Sequence, residues 1–279
     1  MFLGLDLGTS GLRGLLIDEN GNTFGDAQAA YDVSQPKAGH CEQDPLVWIA
    51  AAKQVFGALL LNCPNEMSKL RGIGIAGHMH GAVCLDASGL PVRPCILWND
   101  TRAALEADML DGIPAFHEIS GNIVFPGFTA PKLVWMRKHE PELFAAIDKI
   151  CLPKDYLAFW LAGVLKTEMS DAAGSSWLNV GARCWSDDLI DATRILREQL
   201  PEVLEGCDVT GQVRDDLANE LGLPRNIAVV AGAADNAAAA CGIGAMADGQ
   251  GFVSLGTSGV ILAGKDSYAP NPSSAVHTF

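Results

Sequence analysis

The pentapeptide LGTSG occurs twice in this chain, at residues 7–11 in FLGLDLGTSGLRGLLID and at residues 255–259 in GFVSLGTSGVILAG. In both places apolar runs flank small and hydroxylated residues, which predicts strand, tight turn, strand. Such a turn sets several backbone N–H groups and two hydroxyls at one edge of a sheet. It can cradle phosphate oxygens without any basic side chain, because the amides themselves point at the anion. Glycine lets the backbone come close, and Thr and Ser add donors. One such turn is common in hairpins of every kind. Two identical copies in matching contexts predict a phosphate chain gripped from opposite sides by two related lobes.

Only the first copy is preceded by an acid, Asp6. A carboxylate at a strand end needs a partner. Either nearby amides satisfy it, or it serves a hydrated Mg²⁺ beside the phosphate turn. Downstream, Asn20-Gly21 is a second turn signal, so the first thirty or so residues read as an antiparallel meander. Asp44-Pro45 supplies an N-cap and an N1 proline for a helix to about Leu61. Buried strands are expected at 71–76 and 82–85, and residues 90–98 read as extended and proline-broken. From about 103 to 225 the chain reads as mostly helical, with helices at 131–139 and 187–199. Residues 226–246 return to strand, turn and helix.

The formal net charge of −14 argues against nucleic acid as the main partner. Eight cysteines without a CxxC pair read as free thiols in a reducing compartment rather than as zinc ligands or disulfides. The N-terminus runs straight into a strand, unlike a signal peptide. The longest apolar run, VFGALLL at 55–61, is too short to span a bilayer. These features predict a cytoplasmic chain without a membrane span.

Three further stretches carry chemistry. In AGAADNAA, Asp235 stands where a helix should begin, among small residues that leave room for a substrate. It is either an N-cap or a general base for a hydroxyl attacking a γ-phosphate. In GIAGHMHGA, His78 and His80 lack a third metal ligand, so a turn presenting His80 to a polyhydroxylated ligand is expected. In ILWNDTRA, Trp98 with Asn99, Asp100 and Arg102 forms either an aromatic sugar platform or a helix cap with an ion pair to Arg102.

In order along the chain, GLDLGTSG, GIAGHMHGA, ILWND, GNIVFPGFTAPKLVWMRKHEPELF, LPKDYL, MSDAAGSSWLNV, AGAADNAAAACGIG, SLGTSGV and SAVHTF resemble the FGGY carbohydrate kinases, most closely their xylulose branch. The resemblance implies an α/β, ribonuclease-H-like fold of the actin/hexokinase/Hsp70 ATPase type, with a mixed sheet flanked by helices. It implies ATP and Mg²⁺, and phosphorylation of D-xylulose at its 5-hydroxyl. Other ketoses or polyols such as L-ribulose or glycerol, or a non-catalytic ketose-binding module, are the alternatives. By resemblance Asp235 is the catalytic base, and Asp6 helps hold metal and phosphate. Met79, His80, Asp235 and Asn236 contact the sugar, with Trp98 as a further candidate. Gly8, Thr9, Ser10 and Arg13 serve the first phosphate turn; Gly256, Thr257 and Ser258 form the second.

His78 stands where the family pattern leads one to expect Gln, bordering the sugar pocket, and Arg13 where it has Lys. Family members also continue past SAVHTF. The resemblance therefore implies a sugar-binding lobe at 1–246, and at 247–279 the first hairpin of a second lobe. That hairpin is expected to be disordered, or to self-associate into a homo-oligomer, and the chain alone is expected to show little turnover.

Overall fold

The computed structural model describes residues 1–255 and 259–279. Strand β1 (Phe2–Leu7) alternates cleanly: Leu3, Leu5 and Leu7 are buried, while Gly4 and Asp6 face the other way. It pairs antiparallel with β2 (Gly11–Ile17), placing Leu3 opposite Leu16 and Leu7 opposite Leu12. β2 pairs in turn with β3 (Thr23–Ala30), completing the expected meander. The β2–β3 turn is held by the Asp18 carboxylate, which accepts from the N–H groups of Asn20 and Asn22 at 2.8 and 2.9 Å.

On the other side of β1 the Gly72–Gly77 strand runs parallel, from Phe2 opposite Gly72 to Leu7 opposite Gly77. Beyond it lie Ala228–Val230 and then Ala233–Ala234, both parallel to Gly72–Gly77. Val209–Gln212 closes the sheet antiparallel to Ala228–Val230. The result is the mixed, helix-flanked sheet of the ribonuclease-H-like class.

Helix α1 (Pro45–Asn62) starts as its sequence dictates: the Asp44 side chain accepts from Leu46 N–H at 3.0 Å, and Pro45 sits in the first turn. By length and mean hydropathy α1 could cross a bilayer. Here Trp48, Ala52, Val55, Phe56 and Leu59 are buried in the core shared with the Leu face of the sheet, so the apolar stripe has a protein partner.

A second core gathers residues from Ala82 to Leu200 around Phe116, Leu133, Met136 and Trp177. The helix expected at 187–199 is shorter, spanning Asp187–Thr193. Arg194 adopts a left-handed conformation (φ 58°), Arg137 takes the Thr193 carbonyl at 2.6 Å, and Ile195 drops into the core. Only a 3₁₀ turn follows, at Arg197–Gln199. The largely helical middle also contains short strands at Lys149–Cys151, Lys166–Glu168 and Glu202–Leu204. Segments of that length carry no periodicity to reveal them.

Gly251–Leu255 and Gly259–Ala263 form a two-stranded ladder apart from the main sheet, with Leu255 84% and Ile261 83% exposed. The chain beyond then folds back on the second core, where Thr278 pairs with Asn122.

One glycine governs how the last sheet strand leads into its helix. Gly232 has φ +82°, and a Cβ there would stand 1.9 Å from the Ile75 carbonyl oxygen. Gly232→Ala should therefore cost at least about 2 kcal/mol, through strain and backbone displacement. Gly57→Ala, in an open interior position of α1, should instead stabilise by about 0.5–1 kcal/mol. Urea denaturation of the two variants checks both signs.

Candidate active site

The parallel pairing determines which side chains meet. Asp6 lies opposite Ala76, and Ala76 opposite Ala233. The strands that lead into Asp6 and Asp235 are thus two inter-strand spacings apart, about 10 Å, on either side of Gly72–Gly77. Asp6 keeps contact with solvent, but surrounding protein crowds it and raises its pKa, with Arg13 across the ladder opposing. Arg13 itself reaches Asp26 at 3.5 Å on the exposed face.

Asp235 is the first residue of the Asp235–Ile243 helix, and the cap position falls on Ala234. Its carboxylate accepts from the N–H of Asn236 at 2.6 Å and from that residue's side-chain amide at 2.8 Å. Burial raises the Asp235 pKa, the Asn236 bonds oppose, and the negative charge of Asp6 raises it further. The two acids therefore sense one another across the central strand.

The first LGTSG turn is held from behind. Tyr31 Oη donates to the Gly8 carbonyl at 2.7 Å, and the Gln43 amide donates to the Thr9 carbonyl at 2.7 Å. Gln43 in turn accepts from Trp48 Nε1 at 3.1 Å, tying the turn to α1. Gly8 N–H closes the turn onto the Gly11 carbonyl at 3.0 Å. The carbonyls point inward, and among the described residues the Thr9 and Ser10 amides have no acceptor. Trp98, expected among the sugar contacts, donates its indole N–H to Thr9 Oγ1 at 3.0 Å and so stands on the turn. Asp100 is buried and grips the Arg102 guanidinium at 2.7–3.0 Å, so the ion-pair alternative for this stretch holds. The next helix begins later, at Ala104, without a side-chain cap. The second turn, Gly256, Thr257 and Ser258, lies outside the described residues.

His80 has φ +70°, a strained setting for a side chain with a Cβ. Its carbonyl is fixed by Lys132 Nζ at 2.8 Å and Thr129 Oγ1 at 3.1 Å. The ring stacks on Phe128 with centroids 4.5 Å apart. Nδ1 lies 2.9 Å from the Gly174 carbonyl, which can only accept, so the proton sits on Nδ1 and Nε2 keeps its lone pair. A Cβ at Gly174 would meet this ring at 2.3 Å and Met79 Cε at 3.2 Å, so the small residue there leaves space for both. Lys132 is fully buried, and burial pushes its pKa down to about 7. The His78 ring is buried edge-on to Trp48, with centroids 5.7 Å apart and both nitrogens unpaired among the described residues, and burial pushes its pKa down to about 3.

Behind Asp235 lies a buried charge cluster that the sequence did not announce. Lys154, fully buried, reaches Asp155 at 2.7 Å, Glu168 at 3.4 Å and Asp171 at 3.7 Å. Burial alone would lower the lysine's pKa, but the three carboxylates more than offset it and raise it. Both Asp171 oxygens lack hydrogen-bond partners among the described residues, and burial raises its pKa well above the ordinary value. With three acids to one ammonium, burial favours the protonated form of Asp171. The cluster reaches the site through Ser170, whose Oγ donates to Glu168 and accepts from Ala234 N–H at 3.0 Å. Ala234 immediately precedes Asp235.

Residues 1–242 match the model of the FGGY family of carbohydrate kinases, N-terminal domain. The chain belongs to that family. It is 45% identical over 280 residues to a xylulose kinase of Klebsiella pneumoniae, covering 100% of this chain and 57% of that protein. Identity to the xylulose kinase of Escherichia coli K12 is 43%, with the same coverage. Among solved structures, a xyloylose kinase from Brucella ovis superposes with a TM-score of 0.97 at 53% identity, over 99% of this chain and 57% of that one. A xylulose kinase from Rhodospirillum rubrum gives 0.93 at 27% identity, over 97% and 56%. The chain thus spans a little more than half the length of the relatives it matches.

The buried cluster has a testable pH signature. A carboxyl whose folded pKa is raised binds its proton more tightly in the folded state. The stability it confers is full below the unfolded value near 3.8 and is lost as pH rises through the folded value. Asp171→Asn, which mimics the protonated acid, should stay within about 1 kcal/mol of the parent chain near pH 5 and flatten that decline. Lys154→Met, which strands three acids, should cost about 3–5 kcal/mol. Chemical denaturation from pH 4 to 9 reads both.

Proposed function

We propose that this chain is the sugar-binding lobe, 1–246, of a kinase that transfers the γ-phosphoryl group of ATP to a ketose, D-xylulose above all, with 247–279 opening the second lobe. The observation that carries this reading is the placement of Asp6 and Asp235 on either side of Gly72–Gly77, with a turn whose Thr9 and Ser10 amides have no acceptor among the described residues. In this reading Asp235 accepts the proton of the 5-hydroxyl as its oxygen bonds to the γ-phosphorus and the bridging oxygen departs with ADP. A raised pKa suits that task, bringing the carboxylate's basicity nearer to working pH. Met79, His80 and Asn236 orient the sugar. Gly8, Thr9 and Ser10 receive phosphate oxygens through backbone N–H and hydroxyl groups, with Arg13 nearby. Gly256, Thr257 and Ser258 would form the opposing turn.

Among the described residues no three acids, histidines or cysteines cluster as a metal cage. The donors present still fit Mg²⁺, which binds through one or two carboxylates plus phosphate oxygens and water, and Asp6 is the carboxylate placed to hold it. Bound there, the ion would neutralise charge developing on the transferred phosphate. Free thiols on all eight cysteines support a reducing, cytoplasmic setting.

In the full-length enzyme, Asp235→Asn should lower turnover by about 10² to 10⁴-fold. Because burial raises the Asp235 pKa, the wild-type rate should fall as pH drops through that raised value. A rate that is flat with pH, or an Asp235→Asn variant with full activity, would sink the assignment. The 279-residue chain should bind D-xylulose by calorimetry, in preference to L-ribulose and glycerol, with little turnover of its own.

A further inference from the structure

The last segment of the chain is fitted to the second core at several points. The Tyr268 side chain lies over two glycines. A Cβ at Gly121 would stand 2.4 Å from Tyr268 Oη and 2.7 Å from Pro270 Cβ, and one at Gly181 2.9 Å from the Tyr268 ring. Ten residues on, Thr278 N–H donates to Asn122 Oδ1 at 2.7 Å, and Asn122 Nδ2 returns a bond to the Thr278 carbonyl at 3.0 Å. Asn122 is itself 2% exposed and held by Ser120, so it is a rigid anchor.

Next to that anchor His277 enters the aromatic shelf that carries His80. Its ring centroid lies 5.5 Å from His80 and 5.2 Å from Phe128, with Phe279 at 5.3 Å on another side. Its Nε2 is buried and has no hydrogen-bond partner among the described residues. A buried polar atom left unpaired is costly, and a ligand group that meets it removes that cost. Burial holds the ring neutral, with its pKa pushed down to about 4. His80 beside it is neutral too, with Nδ1 already committed to Gly174.

We infer that His277 is a sugar-contacting, specificity-determining residue: its Nε2 and that of His80 hydrogen-bond neighbouring hydroxyls of an acyclic polyhydroxylated ligand, while the Tyr268–Phe279 segment straps it in place. The inference rests on the reading of His80 and Asp235 as the sugar site and adds a residue from a distant part of the chain. Two neutral imidazoles set side by side suit a ligand with hydroxyls on adjacent carbons. A ligand lacking one of those hydroxyls would leave a buried nitrogen unpaired, and so would be discriminated against.

The test is calorimetric titration of the 279-residue chain with D-xylulose. His277→Phe keeps the packing against Phe128 and Phe279 but removes the nitrogen, and should weaken binding about tenfold. His277→Gln, which retains a polar group of similar reach, should fall between, and neither variant should lower the thermal midpoint. His277→Phe binding as tightly as wild type would overturn the inference. His80→Ala serves as the reference. If it abolishes binding while His277→Phe does not, the sugar site stands and only the role of His277 fails. If the wild-type chain binds no ketose at all, the site reading fails and the inference with it.

Discussion

The Gly72–Gly77 strand pairs in parallel with β1 on one side and with Ala228–Val230 and Ala233–Ala234 on the other. Nearly everything at the site follows from that register. Ile73 and Ile75 point into the core shared with α1, which leaves the opposite face to glycine and alanine and keeps it open. A slip of one residue between β1 and its neighbours would turn Asp6 into the leucine core and expose the leucines. The core therefore fixes the geometry of the candidate site: burial of Leu3, Leu5 and Leu7 is what places Asp6 on the open face.

Charge is distributed to support this arrangement from beneath. Lys132 and Lys154 are both fully buried, an unusual position for lysine, and each has a structural task. Lys132 neutralises the dipoles of the His80 and Gly127 carbonyls at 2.8 and 2.6 Å and so stabilises the left-handed backbone of His80. Lys154 gathers three acids and, through Glu168 and Ser170, steadies the N–H of the residue before Asp235. Both are clamps on backbone that carries a candidate functional side chain, and neither touches solvent.

What could be read from the sequence divides along physical lines. Alternating leucines, the Asn20-Gly21 turn and the Asp44-Pro45 start are local signals, and the structure has the meander and α1 they indicate. Lys132 and Lys154 gave no such signal, because a lysine inside a helical pattern reads as solvated until tertiary packing surrounds it. The stretches PGFTAPKLVW and LPKDYL carried them only as part of a family resemblance. His78 was expected to border the sugar pocket; its ring packs edge-on against Trp48 of α1, a contact with no local signal in the sequence. His277 lay in a segment expected to belong with the second lobe, and no local pattern places it against His80. Contacts across such sequence separations emerge only from the fold.

The electrostatic character of the site differs from one side to the other, and the difference bears on what it can bind. On the side assigned to phosphate stand two carboxylates with raised pKa values and a turn whose Thr9 and Ser10 amides have no acceptor among the described residues, suited to a cation and to anionic oxygens. On the side assigned to sugar, His80 and His277 are neutral imidazoles, with Lys132 beneath them brought down to about 7. In the proposed reading a chain with a net charge of −14 offers a neutral polyol uncharged imidazoles, so recognition there would run through hydrogen bonds. Such recognition depends on unpaired polar atoms being waiting rather than satisfied internally. Among the described residues His78, Thr167, Asp171, Ser176 and His277 hold buried polar atoms without a partner; His277 stands apart because its ring lies 5.5 Å from that of His80, which is why we give its nitrogen to the ligand.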